Sequence, residues 1–216
     1  MRAIIFANGN PPARKVVERW LTPTDRIIAA DGVARNALRV NVMPHVIIGD
    51  LDSLQAADRF QLERLAVQFV VYPTRKDCTD LELAIRYALA QGASEIVAFS
   101  ALGGRWDQSL ANLMLLTLPE LDRVPARIVD RDLTIMAIRD RAEIAGQVGD
   151  TLSLLALKGD ARGVTIEGCE YPLVDARLPF GATLGISNVL TEAIAKIAVK
   201  EGLVLVMHKT NFEGDQ

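Results

Sequence analysis

Residues 1 to about 135 alternate short β-type apolar runs with helical segments, and this alternation constrains the fold more than any other feature of the chain. The predicted strands are AIIFA, RIIAA, HVIIG, QFVVY, EIVAF and ARIVD. The predicted helices are PARKVVERWL, VARNALRV, LQAADRFQLERLA, TDLELAIRYALAQ and DQSLANLMLLTL, whose apolar residues recur at helical spacing. Such alternation predicts an α/β N-terminal domain, with a mostly parallel sheet flanked by helices.

The pattern changes at about Leu133, where the helical period is lost. Gly-punctuated, strand-like runs follow, namely TIMAI, TLSLLAL, GVTIEG, AIAKIAV and LVLVMH. They predict a smaller all-β, sandwich-like C-terminal domain with antiparallel turns. Charged residues and Gly interrupt the apolar pattern in IRDRAEIAGQVGD, so we expect the boundary near this segment, with domains of residues 1–135 and 136–216.

Composition excludes several classes of protein. The chain has 216 residues, 50% of them apolar, and a net charge of −3 without a dense Lys/Arg cluster, which argues against a nucleic-acid surface. The N-terminal RAIIFAN lacks the long apolar region of a signal peptide, and no apolar run approaches the roughly 20 residues that span a bilayer. Cys78 and Cys169 are too few for a disulfide framework. We therefore expect a cytoplasmic protein without nucleic-acid or membrane partners.

Three acidic or Gly-rich segments follow predicted strands. They are GDLDS at residues 49–53, RKDCTDLE at 75–82 and GGRWDQSLAN at 103–112. Ligands of open parallel sheets bind beyond the carboxyl ends of the strands, so these segments are expected to share one edge. Their carboxylates are those of Asp50, Asp52, Asp77, Asp80 and Asp107. Clustered carboxylates repel one another, and a divalent cation with oxygen ligands, Mg²⁺ above all, is the usual remedy.

Each segment taken alone also has a purely structural interpretation. Ser53 and Thr79 stand where helix N-caps are expected, with Glu82 as a capping-box partner of Thr79. Arg75 and Lys76 are either a solvated pair or a phosphate-binding pair.

Individual His, Cys and Trp residues are likewise predicted to be either structural or ligand-binding. His45 and His208 are expected to be structural, Cys78 to be a bystander and Trp20 to be a core residue. Trp106, in a Gly-rich loop, is a better candidate for stacking on a flat ligand.

Five motifs in order closely resemble the thiamine pyrophosphokinase family. They are ADG at residues 30–32, GDLDS, KDCTDLELA, GGRWDQSLAN and GISN at 185–188, and GCEYPL at 168–173 adds to them. The resemblance covers nearly the whole chain, and the conjunction is specific although each motif is weak. It implies transfer of pyrophosphate from ATP, the co-substrate, to the hydroxyl of thiamine, giving thiamine diphosphate and AMP, with Mg²⁺ as cofactor and a homodimer as the assembly.

The resemblance also implies roles for individual residues in the first domain. Asp50, Asp52 and Asp80 are the expected Mg²⁺ ligands, and Asp77 is a further ligand or the acceptor of the thiamine proton. Lys76 and Arg105 are expected to neutralise charge during the transfer. The nucleotide side of the cleft is expected to include Asp31, Gly32, Asp107 and Gln108.

The resemblance implies that the acceptor contacts a second group of residues, with GISN of the β-domain contributing to the thiamine pocket across a homodimer interface. Ser187 and Asn188 of GISN offer the hydrogen-bonding groups that an aminopyrimidine ring needs, and Trp106 offers a stacking surface. Taken alone, GISN would instead be interpreted as a β-turn.

One departure from the family pattern stands out. The third motif of the family usually ends in Asp-His, whereas Asp107 is followed here by Gln108, which cannot titrate near neutral pH. A non-catalytic thiamine or nucleotide binder is therefore one alternative. An Asp-x-Asp phosphatase is another, although that class needs its Asp directly after the strand, without Gly49.

Overall fold

The computed structural model describes residues 1–31, 34–52, 54 and 56–211. The chain divides into two compact units, Met1–Arg131 and a second unit that begins at Asp132.

The first unit contains six strands and five α-helices among its described residues. In chain order they are β1 (Arg2–Phe6), α1 (Arg14–Glu18), β2 (Arg26–Ala30), α2 (Ala34–Arg39), β3 (Val46–Gly49), α3 (Ala56–Arg64), β4 (Gln68–Val71), α4 (Asp80–Ala90), β5 (Glu95–Phe99), α5 (Trp106–Leu115) and β6 (Ala126–Asp130). A 3-10 helix, Pro119–Leu121, precedes β6. The strands lie in the order β4-β3-β2-β1-β5-β6, and every neighbouring pair is parallel.

Each of the central strands β1, β2 and β5 is apolar and buried after a charged first residue. Ile4, Ile5 and Phe6 of β1 are fully buried, and Phe6 stacks on Phe99 of β5 with 5.5 Å between ring centroids. Continuous apolar runs of this kind are typical of parallel strands between two layers of helices. The predicted α/β class is therefore confirmed for this unit.

The strand order reverses beside β1. The chain runs outward from β1 through β2, β3 and β4, and then returns to place β5 on the other side of β1. The neighbours of β1 in the sheet are thus β2 and β5, and the loops that follow β1 and β5 lie at the point of reversal. In open α/β sheets this reversal opens a crevice at the carboxyl ends of the strands, where ligands bind.

The second unit is all β in its described residues. Its strands are β7 (Leu133–Ile138), β8 (Arg141–Ala145), β9 (Thr151–Ala156), β10 (Ala161–Glu167), β11 (Leu173–Leu178), β12 (Asn188–Val189), β13 (Ile194–Ala198) and β14 (Val204–Lys209). They form two antiparallel arrays, β7-β14-β9-β12 and β8-β13-β10-β11. Side chains of both arrays, such as Leu154 and Ile166, share one core. The predicted sandwich is confirmed.

Three strands of this unit, β8, β11 and β12, were not predicted from the sequence. All three lie at the edges of their arrays. In β8 only Ile144 is fully buried, so its apolar pattern is weak, and the segment RAEIA looked like an interruption between domains. Edge strands contact a neighbour on one side only, which weakens the pattern that identifies strands.

The two histidines have structural partners, as predicted. His45 Nδ1 accepts a hydrogen bond from the Ile27 N–H at 2.9 Å, and burial holds the pKa of His45 below its usual value. His208 Nε2 lies 2.9 Å from the buried carboxylate of Asp150. None of the described helices has the length and apolarity that crossing a membrane requires.

Candidate active site

A cleft of about 510 Å³ opens at the carboxyl edge of the first unit, where the strand order reverses. The loops after β1 and β5 form its centre and are joined by backbone hydrogen bonds. Gly9 N–H donates to Ser100 O at 2.5 Å, and Asn10 N–H donates to Leu102 O at 2.8 Å. A Cβ on Gly9 would lie 2.1 Å from Leu102 O, so only glycine allows the two loops to pack this closely.

The sequence analysis did not single out the loop after β1 as part of the site. Asn8, Gly9 and Asn10 all line the cleft, and Asn36 Nδ2 holds this loop by donating to Ala7 O at 3.1 Å. The available signal was the turn-forming ANGN directly after the first buried strand. Asn112, the last residue of the GGRWDQSLAN motif, also lines the cleft, and its Nδ2 donates to Ala101 O at 2.6 Å.

Three carboxylates converge beside this cleft. Asp31 follows β2, while Asp50 and Asp52 follow β3, and each offers a ligand oxygen within 4.8 Å of the others. Parallel pairing of β2 and β3, with Ala30 opposite Ile48, brings these strand ends together. The donor set is made only of carboxylate oxygens, which suits a hard divalent cation such as Mg²⁺.

Gly49 allows this convergence. A Cβ at Gly49 would lie 2.8 Å from the Asp31 Cα, so any other residue would push the two strand ends apart. The sequence predicts that Gly49 lets the backbone approach a ligand without a Cβ in the way. In the structure Gly49 also sets the separation between the Asp31 backbone and the segment after β3 that carries Asp50 and Asp52.

The Asp50 carboxylate is held from two sides. The backbone N–H of Asp52 donates to Asp50 Oδ1 at 3.2 Å, and Lys76 Nζ lies 3.6 Å from Asp50 Oδ2. The hydrogen bond from Asp52, helped by the Lys76 charge, lowers the pKa of Asp50. Asp50 is therefore negative throughout the neutral range.

Lys76 forms ion pairs both with Asp50, which follows β3, and with Asp80 at the start of α4. Its ammonium lies 3.0 Å from Asp80 Oδ1, and its side chain is only 14% exposed. Burial opposes the charged form, yet the hydrogen bond to Asp80 and the charges of both carboxylates raise the pKa of Lys76. Burial raises the pKa of Asp80, with the charges of Asp31 and Asp50 acting in the same direction.

The neighbours of Lys76 in the chain have a different environment. Arg75 and Asp77 are both exposed on the loop before α4. Thr79 caps α4, since its Oγ1 accepts from the Glu82 N–H at 3.2 Å, while the Glu82 carboxylate lies 3.0 Å from Arg86. Of the predicted residues on this loop, the structure thus brings Lys76 and Asp80 to the cluster and leaves Asp77 facing solvent.

The start of α5 forms another wall of the cleft. Arg105 and Gln108 line it, and Arg105 forms an ion pair with Asp107. This contact lowers the pKa of Asp107 and raises that of Arg105. Both side chains are largely exposed, and Trp106 is 83% exposed. These groups are therefore accessible from solvent.

The GISN residues lie in the second unit. Asn188 is buried, and its side-chain amide forms hydrogen bonds with the backbone of Tyr171. Nδ2 donates to Tyr171 O at 2.7 Å, and Oδ1 accepts from the Tyr171 N–H at 3.0 Å. Oδ1 also accepts from the N–H of Val189 at 2.9 Å. Ser187 is exposed, and its N–H donates to Ser153 Oγ at 3.0 Å. The Asn188 side chain thus fixes the loop at Tyr171, whereas the Ser187 side chain is accessible.

Two residues named in the sequence analysis, Gly32 and Ser53, lie outside the described residues.

Comparison with known proteins gives a consistent result for both units. The family model of the thiamin pyrophosphokinase catalytic domain matches residues 17–128, and that of the thiamin pyrophosphokinase vitamin B1 binding domain matches residues 138–204. A thiamine pyrophosphokinase of Bacillus subtilis (strain 168) is 28% identical over 186 residues, which cover 85% of this chain and 87% of that protein.

Solved structures of thiamine pyrophosphokinases are similar to this chain over nearly its whole length. The crystal structure of thiamine pyrophosphokinase from Bacillus subtilis has a TM-score of 0.87 at 25% identity, with 98% of this chain and 100% of that chain covered. Thiamin pyrophosphokinase from Geobacillus thermodenitrificans has a TM-score of 0.84 at 25% identity, with 99% of each chain covered.

Proposed function

Because the chain belongs to the thiamin pyrophosphokinase family, we propose that it transfers the pyrophosphoryl group of ATP to the hydroxyl of thiamine, giving thiamine diphosphate and AMP. The observation that carries this proposal is the group of three carboxylates, Asp31, Asp50 and Asp52, next to a cleft of about 510 Å³. ATP carries several negative charges, so an acidic site can hold it only with a bridging cation.

Asp50, Asp52 and Asp31 are the proposed ligands of Mg²⁺, with Asp80 as a further ligand. Convergence of the first three within 4.8 Å supports this assignment. When bound, Mg²⁺ would neutralise charge on the phosphates and so favour attack on the β-phosphorus with AMP as leaving group. Asp80 contacts Lys76, so a role for Asp80 in metal binding requires this contact to change.

The cleft itself is the proposed nucleotide site. Its lining includes the amide side chains of Asn8, Asn10 and Gln108 and the guanidinium of Arg105. Amide N–H groups and a guanidinium suit a polyanionic ligand. Asp107 would orient Arg105 through their ion pair. Because phosphoryl transfers have loose transition states, these groups act by positioning and by neutralising charge.

Residues that we propose to bind the acceptor occur in each of the two units. Trp106 is exposed and can stack on a flat ring, and the Ser187 hydroxyl can bind an aminopyrimidine. Asn188 is proposed to act indirectly, by fixing the loop that carries Ser187, because its amide is bonded to Tyr171. Asp77 is exposed and could accept the hydroxyl proton of thiamine.

The wider assignments are proposals of the same kind. The first unit is proposed to hold ATP and Mg²⁺, and the second to contribute to thiamine binding and to a homodimer in the cytoplasm. A homodimer has twice the 23.5 kDa mass of the chain, which light scattering after size-exclusion chromatography measures directly. A mass near 23.5 kDa at assay concentration would contradict the dimer.

The deciding experiment is AMP release from ATP and Mg²⁺ by the purified protein, with and without thiamine. AMP release that depends on thiamine, accompanied by thiamine diphosphate, is the expected result. Binding of both ligands without AMP would instead identify a non-catalytic binder. Gln108→His would then test whether the departure at this position abolished turnover, because the imidazole can titrate near neutral pH and the amide cannot.

A further inference from the structure

We propose that Lys76 is an internal counter-ion that makes cation binding at the acidic site depend on a polyphosphate ligand. This inference rests on the proposed function, because it assumes that the site takes a divalent cation. It adds an interaction between metal and phosphate binding that the family match does not specify.

The Lys76 ammonium lies between two carboxylates. Lys76 Nζ lies 3.0 Å from Asp80 Oδ1 and 3.6 Å from Asp50 Oδ2. The side chains of Lys76 and Asp50 are only 14% and 13% exposed. Solvent therefore screens this interaction less than it screens an ion pair at the surface.

Four carboxylates contribute to the charge balance of this site. Asp31, Asp50 and Asp52 offer oxygens within 4.8 Å of one another, and Asp80 is linked to them through Lys76. The Lys76 ammonium lies against two of these four carboxylates, those of Asp50 and Asp80. The Lys76 charge already offsets part of the negative charge that would otherwise attract a divalent cation.

A divalent cation that binds the carboxylates of Asp50 and Asp80 competes with the Lys76 ammonium for the same oxygen atoms. The cation alone therefore has to weaken two ion pairs and also repels the ammonium. When a polyphosphate binds in the cleft, which Asp80 lines, the ammonium gains new anionic partners. Cation and polyphosphate should thus bind cooperatively, with Lys76 as the residue that couples them.

The contrast with Arg75 provides a matched control. Arg75 is adjacent in the chain and carries the same charge, but its side chain is exposed. If net charge near the loop were responsible, Lys76→Met and Arg75→Met would behave alike. If the ion pairs of Lys76 are responsible, only the first variant should differ from wild type.

The test measures binding rather than turnover, by isothermal titration calorimetry. Mn²⁺ replaces Mg²⁺ as the probe, and inorganic tripolyphosphate replaces the nucleotide. We expect Lys76→Met to bind Mn²⁺ alone at least about tenfold more tightly than wild type, because the competing ammonium is gone. We expect the same variant to bind tripolyphosphate in saturating Mn²⁺ at least about tenfold more weakly. Arg75→Met should match wild type in both titrations.

These opposite shifts separate coupling from damage, because a misfolded site would weaken both ligands. Lys76→Arg, which keeps the charge, should retain weak Mn²⁺ binding. Should Lys76→Met fail to fold by circular dichroism, Lys76→Gln serves in the same titrations, since its amide can still donate to Asp80.

The outcomes also separate this inference from the proposed function. Mn²⁺ binding by Lys76→Met that equals or falls below wild type would overturn the counter-ion role, even if the protein releases AMP in response to thiamine. Tripolyphosphate binding that is unchanged in Lys76→Met would overturn the coupling. If wild type binds no Mn²⁺ with or without tripolyphosphate, the metal site fails and this inference fails with it.

Discussion

At the scale of residues, the chemistry of the site depends on the environments of a few charged groups. Asp50 keeps its charge because the Asp52 N–H and the Lys76 ammonium both contact its carboxylate. Asp80 is partly buried, and burial together with nearby carboxylates raises its pKa. The two aspartates thus differ in basicity although the same lysine contacts both.

The loss of single carboxylates is the first prediction. Asp50→Asn and Asp52→Asn should each lower the rate of AMP formation at least about 100-fold, because an amide is a much weaker ligand for Mg²⁺ than a carboxylate. The rate is measured with saturating ATP, Mg²⁺ and thiamine. Circular dichroism should show an intact fold in both variants. Asp140→Asn, which changes an exposed carboxylate in the second unit, is the control. Rates like wild type in both site variants would remove the argument for a metal site.

A second residue-scale prediction concerns acid stability. The Asp150 carboxylate accepts from the N–H groups of Gln147 and Asn211 and contacts His208, each at 2.9 Å. Burial opposes the charged form, but these hydrogen bonds lower the pKa of Asp150 in the folded state. The group therefore stabilises the fold above its ordinary pKa of about 3.9, and this stabilisation is lost as pH falls through the lower folded value.

Asp150→Asn should accordingly be less stable than wild type at neutral pH, by about 1–3 kcal/mol in the free energy of unfolding. The difference should shrink as the pH falls below about 4, because protonation of Asp150 removes the same interactions from wild type. Urea unfolding at several pH values, followed by far-UV circular dichroism, measures both quantities. A difference that is constant over the whole pH range would contradict the assigned cause.

At the scale of elements, the cleft depends on how closely two loops approach. The loop after β1 and the loop after β5 share backbone hydrogen bonds, and Gly9 has no space for a side chain. Gly104 lies on the same wall, yet a Cβ there would meet no heavy atom within 4 Å. Two glycines of one cleft therefore tolerate substitution very differently.

Gly9→Ala should lower the free energy of unfolding by about 1–3 kcal/mol and raise the KM for ATP, because the methyl group forces the two loops apart. Gly104→Ala should change stability by less than about 0.5 kcal/mol. Urea denaturation and steady-state kinetics provide the two measurements. If both variants behave alike, close packing of these loops is not what maintains the cleft.

The GISN turn before β12 gives a second element-scale prediction. Asn188→Ala should lower the free energy of unfolding by about 1–3 kcal/mol, since it leaves the partly buried N–H and C=O of Tyr171 without their Asn188 partner. Ser187→Ala should change stability little but raise the KM for thiamine. Thermal unfolding and thiamine kinetics test the pair. A large loss of stability in Ser187→Ala with normal thiamine kinetics would reverse the two roles.

At the scale of the whole molecule, the proposed binding of metal and nucleotide should be visible as ligand-dependent stability. ATP with Mg²⁺ should raise the Tm, and a ligand at 100 times its Kd stabilises the folded state by about 2.7 kcal/mol. EDTA should abolish both this rise and AMP release, and excess Mg²⁺ should restore them. A rise in Tm with ATP that survives EDTA would show that nucleotide binding does not need the cation.

The amino-acid sequence alone was enough to predict the two architectures and to identify the motifs on which the proposed site rests. Hydrophobic period is a local property, so all six strands of the first unit and five strands of the second could be predicted from it. The acidic motifs were identifiable because strand ends and Gly are also local signals. Only the edge strands, such as β8, were missed, since one-sided pairing weakens the apolar pattern.

Tertiary structure decided the partners of the polar side chains. Asp31 reaches Asp50 through the register of β2 and β3 and the missing side chain of Gly49. Lys76 is enclosed by carboxylates whereas adjacent Arg75 is exposed, and the Asn188 amide is bonded to the Tyr171 backbone. Apart from Asp80, which is four residues after Lys76, these partners come from separate segments of the chain, and local periodicity does not encode which of them meet. Register, burial and close backbone approach therefore set the geometry of the site.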